Sequence, residues 1–191
     1  METNKRPIEI YTESNPNPNT LKFVADIILL PEGTVEYTNP AEAQNCPLAL
    51  DLFRFNFVKR IFITANFITI TKAEDIDWYE ISPMIRALIK SSLEEGKPLF
   101  LEKPEIKQEA IDPNEPEVVS RIKVVLDDYV KPAVEQDGGA INFKSFVDGV
   151  VQVELQGSCS GCPSSTVTLK AGIENLLKRM VPEVKEVVAV S

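Results

Sequence analysis

The sequence predicts an α+β protein built from two small domains. Three observations carry this expectation. Short β-branched and aromatic runs alternate with stretches of helical periodicity along the 191 residues. Prolines at 98, 104, 113 and 116 punctuate GKPLFLEKPEIKQEAIDPNEP, a charged stretch with no clear period, and divide the chain. The half beyond them reads α-β-β-α-β, too short an order for a doubly wound sheet. The expected boundaries are a mixed α/β domain over 1–96, a linker over 97–115 and the α-β-β-α-β domain over 116–191.

The first domain opens with a strand, IEIYT (8–12), and a rigid turn, NPNPN (15–19). LKFVA (21–25), IILL (27–30) and TVEYT (34–38) suggest three further strands. Cys46-Pro47 begins a short helix, PLALDLF, since proline suits the first helical position. RIFITANFITITK (60–72) reads as two strands meeting at Asn66. A second helix is expected from Ser82-Pro83, with serine as cap, Ile85, Leu88 and Ile89 on one face, and Gly96 as the stop.

The second domain opens with a helix from about Pro116, whose apolar face is Val119, Ile122, Leu126, Tyr129, Val130 and Ala133. Pro132 should kink its last turn, and Asp137-Gly138-Gly139 should end it. AINFKSF (140–146) and VVQVELQ (150–156) make a hairpin across Val147-Asp148-Gly149. In the second strand Val151, Val153 and Leu155 alternate with Gln152, Glu154 and Gln156, so one face is wet. GSCSGCP (157–163) follows at once. Behind it comes a helix with Leu169, Ile173, Leu176, Leu177 and Met180 on its apolar face. A last strand, EVKEVVAV, completes the order.

Composition narrows the chemistry. Net charge is -9 with no basic face evident, which argues against nucleic acid or a membrane as partner. No apolar run approaches the roughly 18 residues that cross a bilayer. The first residues, METNKRPIEIYTESNPNP, hold no apolar signal core, and strand-like sequence from Ile8 leaves little room for a transit peptide. Three cysteines cannot all pair within one chain, which suits a reducing compartment, and the expectation is a cytoplasmic protein. There is no histidine, which removes His-based catalysis and His-ligated metal together. No catalytic constellation is visible, and the chain is not expected to be an enzyme.

What remains is Cys159 and Cys162, at a strand end and a helix start. Orphan N–H groups and the positive end of the helix dipole favour thiolate there, and small neighbours let backbone amides approach sulfur. Structural zinc without histidine, like most iron–sulfur clusters, takes four cysteines. One chain supplies two, and Cys46 belongs to the other domain, where it reads as a small residue at a helix start. Two chains supply four, so a shared site on a two-fold axis satisfies the count. Three other readings stay open at this point: a thiol–disulfide oxidoreductase, a four-cysteine zinc staple between two chains, and two small core residues. Trp78 reads as packing, and Asp137-Gly138-Gly139 as turn chemistry.

VEQDGGAINF and VELQGSCSGCPSSTVTLKAGIENLLKRMVPEV strongly resemble the NifU C-terminal, or Nfu, domain of iron–sulfur cluster biogenesis, over about 117–190. NPNPNTLKF, CPLALDLF, NFITITK and Trp78 are similar to the Nfu N-terminal domain, over roughly 8–96. The resemblance implies a carrier that receives a cluster from an iron–sulfur scaffold protein and delivers it to apo-proteins. It implies Cys159 and Cys162 as ligands, and a [4Fe-4S] cluster, with [2Fe-2S] as the alternative, shared by a homodimer. It also implies target recognition by the first domain. The family's pattern carries no ligand at 46, where a small polar cap is expected instead of cysteine.

Overall fold

The computed structural model describes residues 7–104, 115–160 and 163–190, the side chains of 163–166 excepted. The chain divides into two compact units, Met1–Lys107 and Gln108–Ser191, each with its own core of buried apolar side chains. The α+β, two-domain reading holds.

The first unit is a five-stranded sheet of β1 (Ile10–Glu13), β2 (Thr20–Ala25), β3 (Leu30–Tyr37), β4 (Val58–Ala65) and β5 (Phe67–Lys72). Its order is β1-β2-β5-β4-β3, and every neighbouring pair is antiparallel. The period-2 pattern of β4 and β5 turns Ile61, Ile63, Ile68 and Ile70 to one face, where Ile61 stands opposite Ile70 and Ile63 opposite Ile68. Helices α1 (Pro47–Phe53) and α2 (Trp78–Glu94) close that face with Leu48, Leu52, Ile81, Ile85 and Ile89. Each such side chain, fully withdrawn from water, contributes about 1.5–3 kcal/mol.

Three local expectations change. IILL is not a strand of its own: the chain turns after Ala25 and β3 begins at Leu30, with Ile28 65% exposed. Helix α2 begins at Trp78 rather than Ser82, because Asp77 caps it by accepting the Tyr79 N–H at 2.9 Å, and Pro83 lies inside the helix. Leu99 and Phe100 pack on the first core and the Leu101 N–H donates to the Asn45 carbonyl at 2.7 Å. That part of the stretch read as a linker is therefore laid along the first unit, while 105–114 lie outside the described residues.

The second unit stacks helices on a three-stranded sheet of order β6-β7-β8. Strands β6 (Gly139–Val147) and β7 (Val150–Gly157) are antiparallel, and β8 (Glu186–Val190) runs parallel to β7. Asp148 and Gly149, both at positive φ (53° and 90°), close the β6–β7 hairpin in the sense that matches strand twist. The first helix is interrupted as its proline demands. α3 (Glu117–Val125) passes into a π-helical turn at Leu126–Val130, where the Lys131 N–H reaches the Leu126 carbonyl, and α4 (Lys131–Gln136) restarts with Pro132 in its first turn. The inserted residue moves the inward position on. Val134 is buried, whereas Tyr129 (57% exposed) and Ala133, expected on the apolar face, point outward. On α5 (Pro163–Met180) Ile173 and Leu177 are buried as expected, but Met180 is 40% exposed.

The β4–β5 tip places Ala65 in the left-handed region at φ 38°, and Asn66 ties the tip to Ala25 through its amide and carbonyl. Left-handed strain at a residue with a Cβ costs about 1 kcal/mol, and glycine relieves it. Ala65→Gly should therefore raise the urea midpoint of unfolding; a lower midpoint would contradict this reading of the turn.

Candidate functional site

Cys159 lies where β7 ends and the chain turns toward α5. Gly157, at φ 65°, starts the turn, and the Ser160 N–H and hydroxyl both donate to its carbonyl, at 3.2 and 2.9 Å. The loop is stitched sideways to the turn that follows α4. The Ser158 N–H donates to the Gly138 carbonyl at 3.2 Å, and the Ser158 hydroxyl donates to the Asp137 carbonyl. Gly138 stands at φ 81°, so this turn needs a residue without a Cβ penalty.

Gly139 is required for a different reason. A Cβ built there would stand 2.6 Å from the Gln156 carbonyl oxygen and 2.8 Å from Cys159 Sγ, with the Cys159 nitrogen at 3.2 Å. The sulfur rests on bare backbone, and any side chain at 139 would displace it. The DGG motif is thus turn chemistry at its second position and a seat for Cys159 at its third.

Cys159 is 6% exposed and belongs to the second unit's apolar core. Burial pushes its thiol above the ordinary range; the Ser158 hydroxyl, 3.8 Å away, opposes this and the Asp137 carboxylate adds to it. Burial thus acts against the thiolate-favouring setting that the sequence suggests. Cys162, the second expected ligand, lies outside the described residues. Among the described residues no three His, Cys, Asp or Glu side chains converge as a metal site.

Cys46 is held differently. It stands at the N-cap position of α1, wholly buried among Ala43, Leu48 and Ala49, and burial pushes its thiol up to about 11 against the opposing N–H groups of Ala49 and Leu48 and the Tyr37 hydroxyl. It packs as a small apolar residue in the other compact unit from Cys159. The roles that sequence reading missed are those of Ser158, which clamps the two turns, and of Gly139, whose bare Cα seats the sulfur. Their signal was present as small residues flanking each motif, but pairing Asp137-Gly138-Gly139 with GSC requires the β6–β7 register, which sets Gly139 opposite Gly157.

Two substitutions at glycine should act with opposite sign. Gly139→Ala should lower stability and alter the NMR signals of Cys159. Gly172→Ala, on the exposed side of α5 with nothing within 4 Å, should raise stability by about 1 kcal/mol. Equal effects in urea unfolding would refute the seat.

A family model described as scaffold protein Nfu/NifU N terminal matches residues 10–96, and one described as NifU-like domain matches residues 122–188. A human protein named NFU1 iron-sulfur cluster scaffold homolog, mitochondrial, is 44% identical over 179 residues, covering 93% of this chain and 70% of that protein. NifU-like protein 4, mitochondrial, of Arabidopsis thaliana is 39% identical over 187 residues, covering 96% of this chain and 66% of its own length. The solution structure of a NifU-like protein from Saccharomyces cerevisiae aligns with TM-score 0.48 at 25% identity, over 54% of this chain and 92% of that one.

The expectation of a cytoplasmic protein is overturned by these relatives, which are named mitochondrial in human and Arabidopsis alike. An odd number of cysteines asks only for a reducing compartment and cannot tell one such compartment from another. With both family models matched in this order, and with 44% identity to a relative of which it covers 70%, the chain belongs to the Nfu/NifU scaffold family, an Nfu N-terminal domain followed by a NifU-like domain.

Proposed function

We propose that this chain carries iron–sulfur clusters. Two copies each contribute Cys159 and Cys162, and the four thiolates hold a [4Fe-4S] cluster, with [2Fe-2S] as the smaller alternative. The cluster is cargo, taken from an iron–sulfur scaffold protein and handed to apo-proteins, and no turnover is asked of the chain.

The observation that carries the reading is the seat of Cys159. A cysteine is fixed at a strand–helix junction by backbone from two loops, in a unit whose one other cysteine lies three residues on. Two thiols are half of the donor set that iron–sulfur clusters and His-free zinc sites ordinarily use, and a two-fold axis supplies the rest without any further ligand. The names of the relatives, iron–sulfur scaffold and NifU-like protein, support the choice of cargo. Delivery would proceed by ligand exchange, the thiolates of the recipient replacing those of the carrier one at a time.

The thiol–disulfide reading is weakened by the same geometry. An attacking cysteine needs thiolate character and access, and Cys159 has its thiol pushed up by burial. Metal binding tolerates that setting better, because the cation's own charge drives deprotonation of its ligands. A zinc staple would use the same four sulfurs and is separated by experiment.

Anaerobic reconstitution with iron and sulfide should give a brown protein with about two iron atoms per chain, as one four-iron cluster shared by two chains requires. Cys159→Ser and Cys162→Ser should each stay colourless, and Cys46→Ser should match the parent. Full iron and sulfide in Cys162→Ser would overturn the ligand assignment. Stoichiometric zinc that resists exchange would favour the staple.

A further inference from the structure

The turn that seats Cys159 also carries a charge. Asp137 stands half-buried at the C-cap of α4, and its carbonyl accepts the Ser158 hydroxyl. That hydroxyl lies 3.8 Å from Cys159 Sγ, and two residues on from Asp137 is the seat itself, Gly139. Asp137 is thus tied to the thiol's own loop. Burial pushes the thiol up, and the Asp137 carboxylate, near enough to act on it, adds to that push.

Among the described residues no cation pairs with Asp137. Six of the eight lysines and arginines of this unit are taken by other carboxylates. The other two lie at the far end. Arg179 belongs to the last turn of α5, and Lys185 sits beside the β6–β7 hairpin, where its N–H donates to the Gly149 carbonyl at 2.7 Å. Cys159 stands at the opposite end of β7, ahead of the first turn of α5. The donors of its loop are engaged elsewhere as well: the N–H groups of Ser158 and Ser160 and the Ser160 hydroxyl go to the carbonyls of Gly138 and Gly157. A four-iron cluster on four thiolates is a net anion, and the groups around its sulfurs tune how firmly it is held.

We propose that Asp137 is a release element: its unneutralised carboxylate repels the anionic cluster, keeps it loosely held and so favours its passage to a recipient. The inference rests on the carrier reading given above for Cys159 and Cys162. Asp137 supplies no ligand and moves no proton; it acts through space as a fixed charge. In a site shared by two chains it acts twice, once from each side.

The test compares the full chain with Asp137→Asn and Asp137→Glu, each loaded anaerobically with iron and sulfide. All three should take up the same iron and sulfide. Release is then followed with the uncharged ferrous chelator bipyridyl, whose iron complex is coloured. Asp137→Asn keeps the shape of the side chain and drops its charge, and should release about fivefold more slowly, the order expected of one charge removed beside a half-buried site. Asp137→Glu keeps the charge and should release as the parent does. Potassium chloride should slow release from the parent by screening the repulsion, and should leave Asp137→Asn unchanged. A turn that had merely lost its shape would not give that pattern. Equal rates for the parent and Asp137→Asn, or Asp137→Glu behaving as Asp137→Asn, would overturn the proposal. So would a parent whose release salt leaves unchanged or speeds, a result that needs no variant to fold. A parent that takes up no iron would overturn the carrier reading too, and the loading step shows this before any release is measured.

Discussion

The contact on which the second unit's site depends is that of the Cys159 sulfur against the bare Cα of Gly139. A Cβ at 139 would come within 2.8 Å of that sulfur, closer than real Cβ contacts come, so the position of the thiol and the identity of residue 139 are one constraint. The constraint couples two turns that are far apart in sequence. One leaves α4 through Gly138; the other leaves β7 through Gly157, and Ser158 clamps them with its N–H and its hydroxyl. Each such hydrogen bond contributes about 1 kcal/mol net, and breaking one inside the core would leave a buried polar group unsatisfied. A cysteine held in this way is placed by the sheet, not by the stiffness of its own loop.

Much of the framework was legible because hydrophobic period is a strong signal. The alternation in β7, the isoleucines of β4 and β5, and the Ile173–Leu177 face of α5 all lie where their spacing puts them. Failures fell where a local device overrode the period. Asp77 captured the start of α2 ahead of the more obvious Ser82-Pro83. The π-turn before Pro132 inserted a residue and turned Tyr129 and Ala133 outward. Of the candidate site, the residue types and their spacing were readable, and the burial of Cys159 was not. A Cys-x-x-Cys at a helix start suggests an exposed thiolate, and only the strand register shows Gly139 beneath the sulfur.

Cys46 and Cys159 make the chemical distinction concrete. Both are buried thiols pushed upward by desolvation. Cys46 is enclosed by its own core at the N-cap position of α1, with no second cysteine in its unit. Cys159 has a second cysteine three residues on in the sequence and sits where β7 gives way to the crossover through α5. Burial alone does not separate a packing cysteine from a ligand, and the proposal for Cys159 rests on the second cysteine of its motif.

Everything proposed for the cysteine pair turns on whether two chains complete the site. The native mass of the anaerobically reconstituted protein, recorded with the cluster intact, decides this most directly. The expected species is two chains carrying one four-iron, four-sulfide cluster, together with cluster-free single chains. A single chain carrying a whole cluster would contradict it.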